Sequence, residues 1–334
     1  MHRRRFYSPT LLILWFAFAT AVADAQILRL SDLTAPQLQA LDRSKTVVLL
    51  PGGMLEEHGP YLPASTDAIL SERLTQAVAE SIVAKKPGWT VLLFPEIPLG
   101  ASGSNEIGGL YVFPGTYVVR PSTLRTVFMD LGAELGDQGF RWIIVIHVHG
   151  SPLHLRAIDD AGDFFHDTYG GWMVNLWDLM PVISGWGNAM AAAMPDAAKK
   201  EDGASLHAGA DEHSLMLYLE PRLVSPGYRQ APVVTGGSTQ ASFDVAKKKN
   251  WAGYLGSPRL ATAALGEKIW TAFAAAASDQ TLKILDGADV SKIPRYVDRL
   301  EKSSIYRLGW IEPSKMHDAA LGRKQHDWVA RHSR

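Results

Sequence analysis

The chain has 334 residues, with 33 basic and 34 acidic side chains and a formal net charge of −1. A composition that is 47% hydrophobic and 20% charged is typical of a globular protein and excludes a disordered, collagen-like or coiled-coil chain. Because the charge is nearly balanced, we expect no general attraction to nucleic acid or anionic lipid. The chain contains no cysteine, which excludes disulfides, thiolate metal sites and a cysteine nucleophile.

The first 25 residues have the pattern of an export signal. Three consecutive arginines, residues 3–5, are followed by the apolar residues 11–22, and Ala23-Asp24-Ala25 offers small residues before a cleavage site. The apolar run is short for a membrane span, although an uncleaved anchor is the alternative interpretation. We therefore predict a signal peptide over 1–25, cleavage after Ala25, and a periplasmic or secreted protein without a later membrane segment.

Short apolar runs alternate with helical patterns along the rest of the chain. Four runs are rich in branched or aromatic residues and do not alternate, as expected for strands that are buried on both faces. These predicted strands are residues 46–50, 90–94, 142–146 and 173–177. Helical spacing of apolar residues predicts helices over 67–82, 124–135 and 258–285.

This alternation predicts a three-layer α/β/α fold, with helices on both faces of a mainly parallel central sheet. We find no internal repeat and no convincing linker, so we assign residues 26–285 to one domain. Residues 286–334 are more polar and charged. We interpret them as a peripheral C-terminal extension.

The densest polar cluster follows the first predicted strand. Glu56 and His58 project to the same side of an extended chain, and Asp67 lies nine residues further on. Carboxylate and imidazole groups at the carboxyl end of a strand can bind a divalent metal, and sites in open α/β sheets commonly lie at that edge. The alternative is that Ser65 or Asp67 caps the following helix.

Two further clusters contain histidine. His147 and His149 follow the strand at 142–146, and we interpret His147 as a hydrogen-bonded structural residue. His154, on the next helix or loop, is predicted to be a surface residue.

The third cluster is residues 207–214. His207 precedes a helix in a loop that would suit proton transfer, because histidine titrates near neutrality. Asp211 or Ser214 could instead simply cap that helix, and the residues alone leave the two readings open.

Taken together, these clusters resemble the signature of the creatininase (creatinine amidohydrolase) family. The resemblance begins with Glu-x-His-Gly-Pro-x-Leu-Pro and Thr-Asp within residues 50–67. It continues in the same order through residues 113–116, 149–150, 207–217 and 256–262, and so covers about residues 40–280.

The family consists of metal-dependent amidohydrolases with an α/β/α layered fold that often form hexamers. The resemblance implies that Glu56 and His58 each bind one metal of a pair and that Asp67 bridges the two. It further implies that His149 binds the same metal as Glu56 and that His207 transfers a proton. Glu212 matches a family glutamate near the site that acts as ligand, orienter or acid.

The resemblance also implies two divalent metals per chain and a homo-oligomer. Mixed oxygen and nitrogen ligands suit zinc, manganese or iron. We expect zinc, because an exported enzyme without thiolates must keep a redox-inert metal.

The sequence departs from the family pattern at several positions. Glu57 replaces the usual glutamine, His213 replaces a threonine, and both asparagines around His149 are lost. Ser151 stands where creatininase has a further glutamate ligand.

We therefore expect a metal-activated water to hydrolyse a cyclic or linear C–N amide bond, other than a peptide bond, in a small-molecule substrate. The alternative is a non-catalytic periplasmic metal- or ligand-binding protein of the same fold. Phosphoester hydrolysis is disfavoured, because no basic phosphate clamp accompanies the clusters.

Overall fold

The computed structural model describes residues 26–332. The predicted export signal, residues 1–25, lies outside the described residues. Within the described part, five parallel strands form one sheet in the order β1-β3-β2-β4-β5. The strands are β1 (Gln26–Arg29), β2 (Thr46–Gly52), β3 (Thr90–Leu93), β4 (Trp142–His147) and β5 (Trp172–Asn175).

The four predicted strands are present, and the three-layer fold is confirmed. In the central strand β2, Val48 pairs with Leu92 on one side and with Ile143 on the other. The edge strand β1 was not predicted. It is only four residues long and its two terminal residues are exposed, so it lacks the buried apolar run of the other strands.

Helices connect the strands and cover both faces of the sheet. They are α1 (Ala35–Gln39), α2 (Thr66–Lys85), α3 (Pro121–Asp137), α4 (Pro152–Tyr169), α5 (Met180–Ala193), α6 (Asp196–Asp202), α7 (Ala210–Leu219), α8 (Thr239–Ala246), α9 (Ala263–Leu285), α10 (Tyr296–Lys302), α11 (Ser304–Tyr306) and α12 (Glu312–His332). A π-helical turn, Arg307–Ile311, joins α11 to α12.

Two hydrophobic cores lie on opposite faces of the sheet. Val47 and Leu49 of β2 face the larger core, which contains side chains of α2, α5, α7 and α9. Val48 and Leu50 face the other core, beneath α3 and α4. Because successive side chains point to opposite faces, burial of both faces explains the continuous apolar run of β2. No helix within residues 26–332 combines the length and apolar character needed to cross a bilayer.

Residues 286–332 of the predicted C-terminal extension contact the preceding domain at several points. The backbone N–H groups of Tyr296 and Val297 donate to the backbone oxygen and the side chain of Asp178, at 2.7 and 2.9 Å. Trp310 and Ile311 are buried. The segment is mostly charged, so its few buried apolar residues were not recognised in the sequence. Most of α12 is exposed.

Candidate metal centre

The predicted metal ligands converge at the carboxyl edge of β2 and β4. Glu56 and His58 follow β2, Asp67 lies in the first turn of α2, and His149 follows β4. All four residues are at most 5% exposed. The arrangement follows from the parallel sheet, since the carboxyl ends of neighbouring strands meet at one edge.

Glu56, Asp67 and His149 form a first group of donor atoms. His149 Nδ1 lies 3.1 Å from Glu56 Oε2 and 3.1 Å from Asp67 Oδ2. The other ring nitrogen, Nε2, donates to the backbone oxygen of Ser102 at 3.3 Å, and this leaves Nδ1 directed at the carboxylates. Such a hydrogen bond is how metal-binding histidines are usually held in orientation.

His58, Asp67 and Glu212 form a second group. His58 Nε2 lies 3.2 Å from Asp67 Oδ1 and 4.0 Å from Glu212 Oε1. His58 Nδ1 donates to the backbone oxygen of Glu56 at 3.0 Å, so this ring is also fixed through its second nitrogen. Asp67 contributes one oxygen to each group and occupies the bridging position between them.

Charge and hydrogen bonding both fit divalent cations at these groups. Burial opposes ionisation of Glu56, yet the neighbouring His149 and His207 hold the pKa of its carboxyl at about 2. Burial also lowers the pKa of His58, but Asp67 and Glu212 outweigh it and raise that pKa to about 9. Positive charge therefore stabilises the buried carboxylates of this cluster. Divalent ions would supply that charge in place of the protons on the histidines. Within residues 26–332, the buried atoms His58 Nε2 and Asp67 Oδ2 have no hydrogen-bond partner outside this cluster.

His207 lies beside this cluster in a strained loop. Its Nε2 donates to the backbone oxygen of Glu57 at 2.6 Å, and its ring centroid lies 4.5 Å from that of His58. Ser205 and Ala208, which flank it, have positive φ angles of 38° and 48°. Such backbone conformations are costly for residues other than glycine and are concentrated at functional sites.

The environment of His207 favours the protonated ring. Burial lowers its pKa, but the carboxylates of Glu56 and Glu57 raise it, to about 10. A protonated imidazole beside the cluster can act as a general acid. The geometry also leaves a second role open, because Glu56, His58 and His207 form a third group of donor atoms that could hold a metal.

The other histidines of the second cluster are buried and neutral. Burial lowers the pKa of His147 to about 3, and neither of its ring nitrogens has a hydrogen-bond partner in the described chain. It joins none of the donor groups, but the prediction that it is hydrogen-bonded was wrong: its ring packs edge-on against Phe128.

His154 was predicted on the surface and is fully buried. Its Nδ1 accepts a hydrogen bond from the backbone N–H of Ala101 at 3.2 Å, and its ring lies edge-on to His149, 4.9 Å between centroids. The prediction failed because the first turn of α4 is covered by the loop that contains Ala101.

The capping alternatives are not observed. Ser65 makes no side-chain hydrogen bond at the start of α2, and α7 begins after Gly209. Asp211 accepts hydrogen bonds from Trp186 Nε1 and from Ser205 Oγ, each at 3.0 Å. Asp211 therefore supports the His207 loop from beneath.

Glu56, Asp67, His149 and Glu212 of the two donor groups, with His58 beneath them, form the floor of a cavity of about 230 Å³. Its upper walls are aromatic and contain Trp177, Trp186, Tyr296, Tyr306 and Trp310. Sequence reasoning missed all five, and it noted Glu57 only as a departure from the family pattern. The signal that could have found three of them is the occurrence of Tyr296, Tyr306 and Trp310 within an otherwise charged segment.

The match to a known family decides how this site is interpreted. Residues 31–280 match the family model described as "Creatininase: Creatinine amidohydrolase". The chain belongs to the creatininase family. The resemblance inferred from the sequence motifs is thereby confirmed, and the family is one of hydrolases.

Two relatives of the creatininase-family chain differ in what they act on. A mycofactocin precursor peptide peptidase from Mycolicibacterium smegmatis is 26% identical over 234 residues, which make up 67% of this chain and 79% of the relative. A creatinine amidohydrolase from Pseudomonas putida is 29% identical over 189 residues, or 53% of this chain and 66% of that enzyme.

Solved structures share the fold. A creatinine amidohydrolase (creatininase) structure superposes with a TM-score of 0.59 at 23% identity, covering 78% of this chain and 98% of the other. A structure named "Creatininase Mn" gives a TM-score of 0.57 at 23% identity, covering 78% and 99%.

Proposed function

We propose that this creatininase-family protein is an exported, metal-dependent amidohydrolase that cleaves a C–N amide bond in a small molecule. The observation that carries the proposal is the position of Asp67, which offers one oxygen to each of two buried donor groups on the floor of a cavity. Paired metal positions that share a carboxylate are typical of hydrolases that activate water.

The site residues have two kinds of role, metal binding and proton transfer. Glu56, Asp67 and His149 would hold one cation, and His58, Asp67 and Glu212 the other. Bound divalent ions, of which zinc is our choice and manganese or iron the alternatives, lower the pKa of water and polarise a carbonyl group. His207, with Nε2 committed to the Glu57 carbonyl, has Nδ1 left to protonate the departing nitrogen.

The size of the cavity supports a small-molecule amide rather than a polypeptide. A volume of about 230 Å³ is below the range of roughly 300–1,000 Å³ in which drug-sized ligands bind. The two relatives represent the two substrate classes under consideration, since one is named as a peptidase and the other as a creatinine amidohydrolase. We favour an amide other than a peptide bond.

Metal analysis combined with a substrate panel tests the proposal. Elemental analysis of the purified protein should find about one to two divalent metals per chain. The metal-loaded protein should hydrolyse members of a panel of cyclic and linear amides faster than short peptides. Metal binding without turnover of any amide or peptide would favour the non-catalytic binding protein instead, and the absence of metal, with no gain on adding zinc or manganese, would contradict both.

We also propose that the mature protein is a homo-oligomer, as family members often are. Light scattering on the purified, signal-free chain would give its mass in solution. A monomer at all concentrations would contradict this part of the proposal.

A further inference from the structure

We infer that the C-terminal segment supplies a built-in aromatic wall that selects amides with an aromatic ring beside the scissile bond. The wall consists of Tyr296, Tyr306 and Trp310, which line the same cavity as the donor groups. The family match ends at residue 280, so the wall lies outside the part of the chain that defines the family. The inference rests on the proposed function and names its substrate class.

The wall is fixed in place along its whole length. Asp178 accepts hydrogen bonds from the backbone at its start, and Arg156 forms ion pairs with Asp298 at 2.7 Å and Glu301 at 2.9 Å. Tyr306 packs edge-on against the buried Phe243, with 5.4 Å between ring centroids. A surface held this way is already formed before a ligand arrives, which reduces the ordering cost of binding.

Trp310 ties the wall to the donor groups. Its indole N–H donates to Ser102 Oγ at 3.1 Å, and the backbone oxygen of Ser102 accepts the hydrogen bond from His149 Nε2. Ser102 has a positive φ of 60°, a strained conformation for serine. The wall and the His149 ring are therefore positioned by the same residue.

The chemistry of the cavity favours a flat, uncharged group. Trp177 and Trp186, from the part of the chain that matches the family, line the same cavity and lie 5.3 Å apart between ring centroids. Burial raises the pKa of both the Tyr296 and the Tyr306 phenol, so the wall is uncharged. Among the described residues that line the cavity, none is lysine or arginine, so a ligand carboxylate would find no counter-charge above the floor. An aromatic ring can pack favourably against these aromatic side chains.

Two small hydroxamates test the inference, because they chelate a metal through two oxygens, one of them the carbonyl oxygen that an amide also offers, and differ only in a phenyl ring. Calorimetry with the zinc-loaded full-length mature chain would compare acetohydroxamate with phenylacetohydroxamate. We expect the wild type to bind the phenyl probe about 10- to 100-fold more tightly, which corresponds to burial of one aromatic side chain.

Variants of Tyr306 separate the wall from the metal centre. Tyr306→Ala should reduce the preference for the phenyl probe at least about threefold, mainly through weaker binding of phenylacetohydroxamate. Tyr306→Leu, which keeps most of the apolar volume but lacks the ring, should also reduce it. Trp328→Ala is the matched control, since Trp328 is 57% exposed on α12 and does not line the cavity.

Equal binding of both probes by the wild type, or an undiminished preference in both Tyr306 variants, would overturn the inference. A change in preference in Trp328→Ala equal to that in the Tyr306 variants would overturn it as well. If the wild type bound neither probe, the result would contradict the proposed metal centre, and the inference, which depends on it, would also be rejected. Acetohydroxamate binding without a phenyl preference leaves the proposed function intact and removes the inference alone.

Discussion

His207 and Glu57 are in direct contact through both the backbone and the side chain of the glutamate. His207 Nε2 donates to the Glu57 backbone oxygen at 2.6 Å and lies 3.5 Å from Oε1 of the Glu57 carboxylate. The carbonyl fixes the ring orientation, and the carboxylate adds negative charge where the family pattern has a neutral glutamine. Backbone oxygens orient the His58 and His149 rings in the same way, so the nearby Glu57 carboxylate is the feature that distinguishes His207.

The first prediction is that His207→Ala retains metal but loses turnover. Because His207 is assigned to protonation of the leaving nitrogen, its removal should slow amide hydrolysis by about 10²–10⁴-fold. The loss should shrink for amides with better leaving groups, which need less protonation in the transition state. Turnover and metal content would be measured on the same preparations.

His326→Ala provides the control for this variant, because the His326 side chain is 82% exposed on α12. It should leave turnover and metal content unchanged. Loss of metal in His207→Ala would instead identify His207 as a ligand, the role that the Glu56, His58 and His207 group leaves open.

The second prediction concerns the shared position of Asp67. Asp67→Asn should deplete both metals, whereas His149→Ala should deplete only the metal held with Glu56, because Asp67 belongs to both donor groups. Each affected affinity should fall by at least the roughly 10- to 100-fold that loss of an outer-shell partner costs. Elemental analysis after dialysis would report metals per chain.

Asp196→Asn is the matched control for Asp67→Asn. Asp196 also lies in the first turn of a helix, α6, but its side chain is 99% exposed. It should bind as much metal as the wild type. Equal depletion by Asp67→Asn and His149→Ala would show that the two positions are not independent, contrary to the proposed division.

The sheet and the position of the site were predictable from the sequence, for one physical reason. Strands that are buried on both faces read as continuous apolar runs, as in residues 46–50, and polar residues that follow such runs must gather at one edge of a parallel sheet. Glu56, Asp67 and His149 could therefore be placed at one edge from the residues alone, whereas the assignment of Glu56 and His149 to one metal came from the family resemblance.

The cavity walls and the buried histidines could not be predicted in this way. Whether His154 is exposed depends on a loop 53 residues away that covers it, and no local pattern records that contact. The role of Trp310 depends on a hydrogen bond to Ser102, 208 residues earlier in the chain. Contacts of this kind arise from tertiary packing, which residue periodicity does not encode.

The third prediction is export with cleavage after Ala25. The basic start, the apolar residues 11–22 and Ala23-Asp24-Ala25 support it. Mass spectrometry of protein from the periplasm or medium should identify Gln26 as the first residue. Ala23→Arg together with Ala25→Arg should block processing, whereas recovery of an intact Met1 in the cytoplasm of the unmodified chain would contradict the prediction.

The fourth prediction is a loss of stability with rising pH that arises from two buried carboxyl groups. Asp178 and Asp159 are nearly or fully buried, and Asp159 raises the cost of ionising Asp178. Burial, and then the neighbouring charge of Asp159, raises the pKa of Asp178 to about 10, and burial raises that of Asp159 to about 6. In the unfolded chain both groups ionise near pH 4.

The sign follows from proton counts. Between about pH 4 and the raised values, the folded state holds more protons than the unfolded state, so the free energy of unfolding falls as pH rises. The fall is at most about 1.4 kcal/mol per pH unit for one proton. Asp178→Asn keeps a neutral side chain that can accept from the Val297 backbone N–H, so it should flatten the dependence above about pH 6.

Urea unfolding at several pH values would measure how the free energy of unfolding changes with pH in the wild type and in Asp178→Asn. A chelator would be present to remove metal-linked effects. Asp298→Asn, which removes a half-exposed carboxyl of the same segment, is the matched control. It should lower stability by no more than about 1 kcal/mol, the usual contribution of a surface ion pair, and leave the slope unchanged. If the free energy of unfolding of Asp178→Asn fell with pH as steeply as that of the wild type, the Asp178 carboxyl of the wild type would be ionised in the folded protein. The start of the aromatic wall would then be held by a charged group rather than a neutral one.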